Sequence, residues 1–251
     1  MEVFSAPGRT EVCGNHTDHQ HGKVLAAAIN LDAVAVVGFH EDGVIRLHSE
    51  GYPAITVELS DLAINEAEHG TTKALIRGMA AQFADKGVKI GGFDAYVTSD
   101  VLGGSGLSSS AAFEVLIGTI LDIHYNKGAV GAVDIAKMGQ FAENKYFGKN
   151  CGLMDQMVSS VGGFVFIDFA DPTKPVIDKH VCDFAAAGIS LCITDTKGSH
   201  ADLTADYVSI PVEMKSVAAH FGKEVLHEVA EADFFAEIGA LRGKVSDRAI
   251  L

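Results

Sequence analysis

Phe93-Asp94-Ala95-Tyr96-Val97-Thr98-Ser99 alternates as a strand. Gly103-Gly104-Ser105-Gly106-Leu107-Ser108-Ser109-Ser110 follows as a glycine- and serine-rich loop, and the apolar stretch from about Ser109 to Asn126 reads as a helix. Three glycines let the backbone approach a ligand and turn its N–H groups inward. The helix that follows presents unpaired N–H groups and a partial positive charge. The serines add hydroxyls for phosphate or magnesium oxygens. The loop is not a Walker A sequence, because no Gly-Lys-Ser/Thr follows. It also fails the dinucleotide pattern, because position 109 is serine. A phosphate cradle and a turn with a serine cap both remain open on spacing alone.

Outward from this loop, the chain mixes strands and helices. Residues 31–59 read as β structure. The Asp42-Gly43 pair suggests a hairpin between the valine-rich run after Asp32 and a return strand Val44 to Ser49. Ile55–Leu59 is a further short strand. Leu75, Ile76, Met79, Ala80 and Phe83 recur at helical spacing within a helix from Thr71 to Lys86. A second helix runs from about Val133 to Tyr146. Gly162–Phe169 and Ile189–Thr194 read as strands, and the pattern turns helical from Asp206. Ser246 is placed to cap a last helix. Without regular βα alternation, the class is α+β rather than a doubly wound parallel sheet. The natural boundary falls between Asp171 and Ala187, where Pro172 and Pro175 lie, giving a domain 1–187 and a second, 188–251.

The chain has 251 residues, with 19 Lys and Arg against 33 Asp and Glu, a net charge of −14. That balance argues against nucleic acid and against docking on anionic lipid. No run reaches the length of a membrane span, and the first residues lack the pattern of a signal peptide. An intracellular, cytoplasmic, monomeric protein is expected. Cys13, Cys151, Cys182 and Cys192 have no metal or redox spacing and read as free, buried thiols. Glycine is abundant, at 27 residues against 5 prolines, which suggests close backbone approaches rather than a disordered linker.

The segment Gly8 to Gly22 holds three histidines in six positions. It admits three readings: a metal site from His16, Asp18, His19 and His21, a polar loop, or a sugar site. Asn15, His16 and Asp18 have the short side chains that exchange several hydrogen bonds with a polyol, and Arg9 could neutralise a nearby anion. Asp155, in Gly152-Leu-Met-Asp-Gln-Met157, is a lone carboxylate in an apolar setting, which alone suits the start of a helix.

Together these segments resemble the galactokinase branch of the GHMP small-molecule kinases. Pro7-Gly-Arg-Thr-Glu-Val-Cys-Gly-Asn-His-Thr-Asp18 is similar to the galactokinase signature P-G-R-x-x-x-x-G-E-H-T-D. Gly106-Leu-Ser-Ser-Ser-Ala-Ala112 matches the superfamily phosphate loop. Asn150-Cys-Gly-Leu-Met-Asp-Gln156 resembles N-C-G-I-M-D-Q, and Ser199-His200 with Asp206-Tyr207 resembles a later H-S-x-x-x-x-x-Y stretch. The resemblance implies a two-domain GHMP architecture, the first domain like domain 2 of ribosomal protein S5. It implies transfer of phosphate from ATP, with Mg2+, to the anomeric hydroxyl of galactose. Asp155 falls on the family's catalytic aspartate, and Arg9 on the arginine that holds it ionised and stabilises the transferring group. Asn15, His16, Asp18 and Tyr207 fall on sugar-contacting positions. Gly103, Gly104, Ser105, Gly106, Leu107, Ser108 and Ser109 fall on the ATP cradle, and Ser110 and Glu143 on magnesium ligands.

Two departures stand out. Position 15 is Asn where galactokinases usually carry Glu, which keeps galactose as the first expectation and opens galacturonate or a modified galactose as the alternative. No third glycine-rich motif follows residue 198. The second domain is therefore expected to be incomplete and this chain weakly active or inactive. A non-catalytic sugar sensor is the rival class, disfavoured because both Asp155 and Arg9 are kept.

Overall fold

In the valine-rich run, Ala33, Ala35 and Val37 are buried while Val36 is exposed, the period of two that makes a strand with one covered face. The computed structural model describes residues 1–194 and 204–251, with side chains for all of these but 204–208. Its strands are β1 (Glu2–Cys13), β2 (Lys23–His40), β3 (Val44–Ser49), β4 (Ile55–Glu58), β5 (Gly92–Ser99), β6 (Phe164–Asp168) and β7 (Val176–His180). Its helices are α1 (Thr72–Asp85), α2 (Ser109–Asn126), α3 (Ala132–Phe141), α4 (Met154–Val161), α5 (Thr204–His220), α6 (Glu231–Leu241) and α7 (Asp247–Ile250). None of them is long and apolar enough to cross a membrane. The mixed α+β class read from the sequence is the one found.

The chain divides into two compact units, Met1–Thr10 with Ala27–Phe164, and Glu11–Ala26 with Val165–Leu251. In the first, the strand order is β4-β3-β5-β2, with β1 beside β2. β5 runs antiparallel to β2, with Ala33 opposite Ser99, and parallel to β3, with Ile45 opposite Phe93. The core joins Ile45, Leu47 and Phe93 of the sheet to Phe83 of α1, Ile117 and Leu121 of α2 and Met138 of α3. Thr71 Oγ1 caps α1 by accepting from the Ala74 amide at 3.3 Å. In the second unit, β6 is flanked by β2 and β7. There Arg248 of α7 grips Glu213 of α5 with two bonds of 2.8 and 2.9 Å, and Ser246 caps α7, as its position in the sequence suggested.

Several local expectations are corrected. The Asp42-Gly43 turn does not close a hairpin, because β5 lies between β2 and β3. Three linking residues reach about 10 Å, enough to step over one intervening strand at about 4.8 Å per spacing. Gly8–Cys13 is strand, not loop. Residues 189–194 make no strand; Ile189, Leu191 and Ile193 are exposed, so that alternation has no sheet face to cover. The helix expected over 133–146 is α3 followed by a π-helical turn, Ala142–Phe147. The four cysteines are free, but Cys13, Cys182 and Cys192 are exposed and Cys151 only partly covered.

Before α1, Glu68 receives Arg77 through two bonds of 2.9 and 3.0 Å, and Arg77 also donates to the Asp61 carbonyl. The hydrogen bonds from Arg77 hold the Glu68 carboxyl down at about 2. A carboxyl whose folded value is depressed adds stability above its unfolded value of about 4.5 and loses it as the pH falls toward 2. The midpoint of thermal unfolding should therefore fall as the pH is lowered from 5 to 2. Arg77→Met should reduce that dependence and cost about 3 kcal/mol at pH 7; an unchanged pH profile would exclude the pair as a stabilising element.

Candidate functional site

Pro7, Gly8 and Arg9 on β1 tie that strand to α4 and to the loop within the first unit. The Pro7 carbonyl accepts from Ser159 Oγ of α4 at 2.7 Å. At Gly8, a Cβ would come within 2.9 Å of the Leu107 carbonyl and 3.0 Å of Val101, so only glycine lets β1 lie this close to the loop. The Arg9 amide donates to that same Leu107 carbonyl at 3.1 Å.

The Arg9 side chain, only 8% exposed, organises the site. Its Nε and Nη2 donate to Asp155 Oδ1 and Oδ2 at 2.7 and 2.8 Å, and its Nη1 donates to the Gly106 carbonyl at 2.6 Å. The planar guanidinium matches a carboxylate with two parallel bonds, which a lysine cannot do. Asp155 sits in the first turn of α4, where an acid suits the helix dipole. Its side chain keeps 29% exposure, so the carboxylate is held by Arg9 and still partly open to solvent. Ser108 Oγ also donates to Asp155 Oδ2.

The loop itself has left-handed backbone at Gly104 (φ 75°), Gly106 (φ 80°) and Ser108 (φ 61°). Glycine takes that region freely, whereas serine takes it at a cost of about 1–2 kcal/mol. The Ser108 hydroxyl bond to Asp155 and the Ala112 amide bond to its carbonyl at 3.0 Å hold it there.

Behind the loop, Ser110 Oγ donates to Glu143 Oε1 at 3.1 Å, and Lys149 Nζ reaches the same oxygen at 3.2 Å. Burial opposes the charge on Lys149, but Glu143 outweighs it and raises the ammonium above its ordinary value. Hydroxyl and carboxylate oxygens are the hard donors that magnesium takes, and their approach at one edge of the loop fits the ion. Glu143 stands on the π-helical turn and is buried. Gln156, Glu114 and Cys151 complete this cluster. Burial pushes the Glu114 carboxyl well up and the Cys151 thiol up also. The sequence reading passed over Glu114 and Lys149, and it quoted Gln156 at the end of the Asn150–Gln156 segment without a role. The available signal was Glu114, one of two acids in the otherwise apolar helix 109–126, a turn after Ser110.

Asn15, His16 and Asp18 belong to the second unit. They lie in a turn that opens with left-handed Asn15 (φ 53°) and His16 (φ 56°), leading into a short 3₁₀ helix, Thr17–Gln20. The His16 amide donates to Glu11 Oε1 at 2.9 Å, Thr17 Oγ1 to the Lys23 carbonyl at 2.8 Å, and the His19 amide to Asp18 Oδ1 at 3.1 Å. The left-handed backbone at position 15 itself favours Asn over Glu, so this departure has a conformational reason as well as any chemical one. A cavity of about 380 Å³ in this unit is lined by Thr17, Gln20, Lys23, Met214 and Leu226 among others, not by the three expected sugar residues. Among the described residues no set of three or more His, Cys, Asp or Glu converges to hold a metal, so the histidine-cluster reading of 16–21 is dropped. Tyr207, with Ser199 and His200, lies outside the residues whose side chains are described.

Two family descriptions match the chain: a galactokinase galactose-binding signature over residues 2–39 and a GHMP kinases N-terminal domain over residues 74–163. A galactokinase of Streptomyces coelicolor is 35% identical over 244 residues, which are 95% of this chain and 62% of that protein. A galactokinase of Lactiplantibacillus plantarum is 37% identical over 193 residues, 75% of this chain and 47% of that protein. The chain thus spans about half of the length of these curated relatives. In fold it is similar to the crystal structure of Lactococcus lactis galactokinase complexed with galactose. That TM-score is 0.78 at 24% identity, over 99% of this chain and 65% of the other. A mevalonate kinase from Methanococcus jannaschii has a TM-score of 0.63 at 18% identity, over 83% and 66%.

Because Arg9 joins β1, the loop and α4, Arg9→Lys should loosen all three. The expected loss is about 1–3 kcal/mol of unfolding free energy, with faster amide hydrogen exchange at residues 104–108. Denaturant titration and exchange mass spectrometry measure both; unaltered exchange over the loop would show that Arg9 does not anchor it.

Proposed function

The chain belongs to the galactokinase family of the GHMP kinases, and from that premise we propose that it phosphorylates galactose at the C1 hydroxyl with ATP. The observation that carries this reading is the two-pronged Arg9–Asp155 contact beside the glycine loop. It holds a carboxylate still partly open to solvent next to backbone suited to phosphate. In the proposed reaction, the C1 oxygen attacks the γ-phosphorus, its proton passes to Asp155, and ADP leaves. Arg9 orients the carboxylate and, being cationic and close by, stabilises the charge on the transferring group. Residues 103–109 with the α2 N-terminus cradle the ATP phosphates, and Asn15, His16, Asp18 and Tyr207 are assigned to the sugar. Ser110 and Glu143 would hold Mg2+, which when bound neutralises phosphate charge. The uncharged Asn15 suits galactose and removes one repulsion against a uronate.

The test incubates the chain with Mg2+, ATP and either galactose or galacturonate, with phosphorus NMR to identify the product. Slow formation of galactose 1-phosphate is expected. Asp155→Ala should lower its rate about 10²–10⁴-fold, with nucleotide affinity kept. Equal rates in the two proteins would remove Asp155 from the chemistry. A higher kcat/KM for galacturonate would overturn galactose as the substrate.

A further inference from the structure

Gln156 follows Asp155 on α4 and is fully buried. Its amide nitrogen donates to two carboxyls at once, Glu143 Oε2 at 2.9 Å and Glu114 Oε2 at 3.0 Å. An amide nitrogen has two hydrogens, so the pair of bonds fixes the plane of the amide. Glu143 is thereby held at both ends, its Oε2 by Gln156 and its Oε1 by Ser110 and Lys149. Glu114 lies on α2 at 0% exposure. Room for it is made by Gly139 of α3, where a Cβ would come within 3.0 Å of Glu114 Oε2 and 3.1 Å of Gln156 Cγ. Among the described residues, Glu114 Oε1 and Gln156 Oε1 both stand without a hydrogen-bond partner. Buried polar atoms are seldom left so unless the group serves a purpose.

We propose that Glu114, acting through the Gln156 amide in the space left by Gly139, is a positioning residue that aims the Glu143 carboxylate at a magnesium ion. The inference rests on the reading of Ser110 and Glu143 as metal ligands. Without Glu114, one Gln156 hydrogen is left with only the weak acceptor Cys151 Sγ at 3.6 Å, and the amide can turn, which releases Glu143 Oε2. Groups that orient a metal-binding side chain are worth about 10-fold to 100-fold in metal affinity. The role is orientation rather than proton transfer, so Asp155 chemistry is untouched.

Mn2+ with a non-hydrolysable ATP analogue is the probe, and free Mn2+ is read by electron paramagnetic resonance in titrations of the 251-residue chain. Glu114→Met keeps the volume and removes the acceptor, and Glu114→Gln restores an acceptor. Gly139→Ala leaves both side chains in place but crowds them, and alanine suits a helix better than glycine. The expected result is about 10-fold to 100-fold weaker Mn2+ binding in Glu114→Met and Gly139→Ala. Affinity should be recovered in Glu114→Gln, with metal-free nucleotide affinity and thermal midpoint held in all three. A Glu114→Met affinity within twofold of the unaltered chain overturns the positioning role. So does a loss in both that follows a fall in thermal midpoint and is not recovered in Glu114→Gln. If the unaltered chain itself shows no nucleotide-dependent Mn2+ binding, the metal reading of Ser110 and Glu143 fails, and this inference with it.

Discussion

A guanidinium on a side chain only 8% exposed is tolerable only when its donors are used, because an unpaired interior charge is far too costly. Arg9 answers that constraint with partners drawn from two places, the Asp155 carboxylate on α4 and the Gly106 carbonyl in the loop, while its own amide ties β1 to the neighbouring Leu107 carbonyl. The requirement to satisfy one side chain therefore fixes the separation of β1, the loop and α4. Gly8 permits the approach and Ser159 adds a second tie to the same strand. The three successive residues 7–9 act as one joint, and the part of Asp155 still open to solvent is what remains once that joint is closed.

Ser108 shows the same logic at smaller scale. Its left-handed backbone disfavours most residues, and the following helix needs its carbonyl for the Ala112 amide. A hydroxyl short enough to reach Asp155 returns part of that strain as a hydrogen bond. Alanine would keep the strain and lose the bond, and glycine would relieve the strain while leaving Asp155 one donor short.

What could be read from the sequence depended on whether the signal was local. The extent of α2 was legible because an apolar run ends at a left-handed Lys127, and β5 was legible from strict alternation. The Asp42-Gly43 turn was local too, yet its partner strand was decided by β5, far along the chain. β1 was missed along its whole length, and over 8–13 a buried arginine and a glycine at close approach erase the alternation that marks a strand. Residues 189–194 had the alternation and no face to cover. At the site, Arg9 and Asp155 are 146 positions apart, so no spacing rule joins them. Only the order of motifs shared with a family did so; it carried no trace of Glu114, and it held Gln156 only as the last letter of the Asn150–Gln156 segment, with no role.

The cluster behind the loop sharpens what a net charge of −14 means for such a fold. Like charges in a buried site repel strongly, yet Glu114 and Glu143 share one amide. Glu143 keeps its neighbours positive or donating: Lys149, Ser110 and Gln156. Glu114 feels only a weaker pull from Lys149, and desolvation together with the charge on Glu143 drives it toward its neutral form. The buried Asp122, by contrast, accepts the amides of Val130 and Gly131 at 3.0 and 3.1 Å and serves a turn. Of these interior acids, Glu114 is the one with an oxygen lacking any partner among the described residues. It lies one helical turn after Ser110 and one amide away from Glu143. A side chain kept for packing alone would be served better by methionine or leucine. Its carboxyl is explained by the acceptor it offers Gln156, and through Gln156 by the carboxylate that faces the loop.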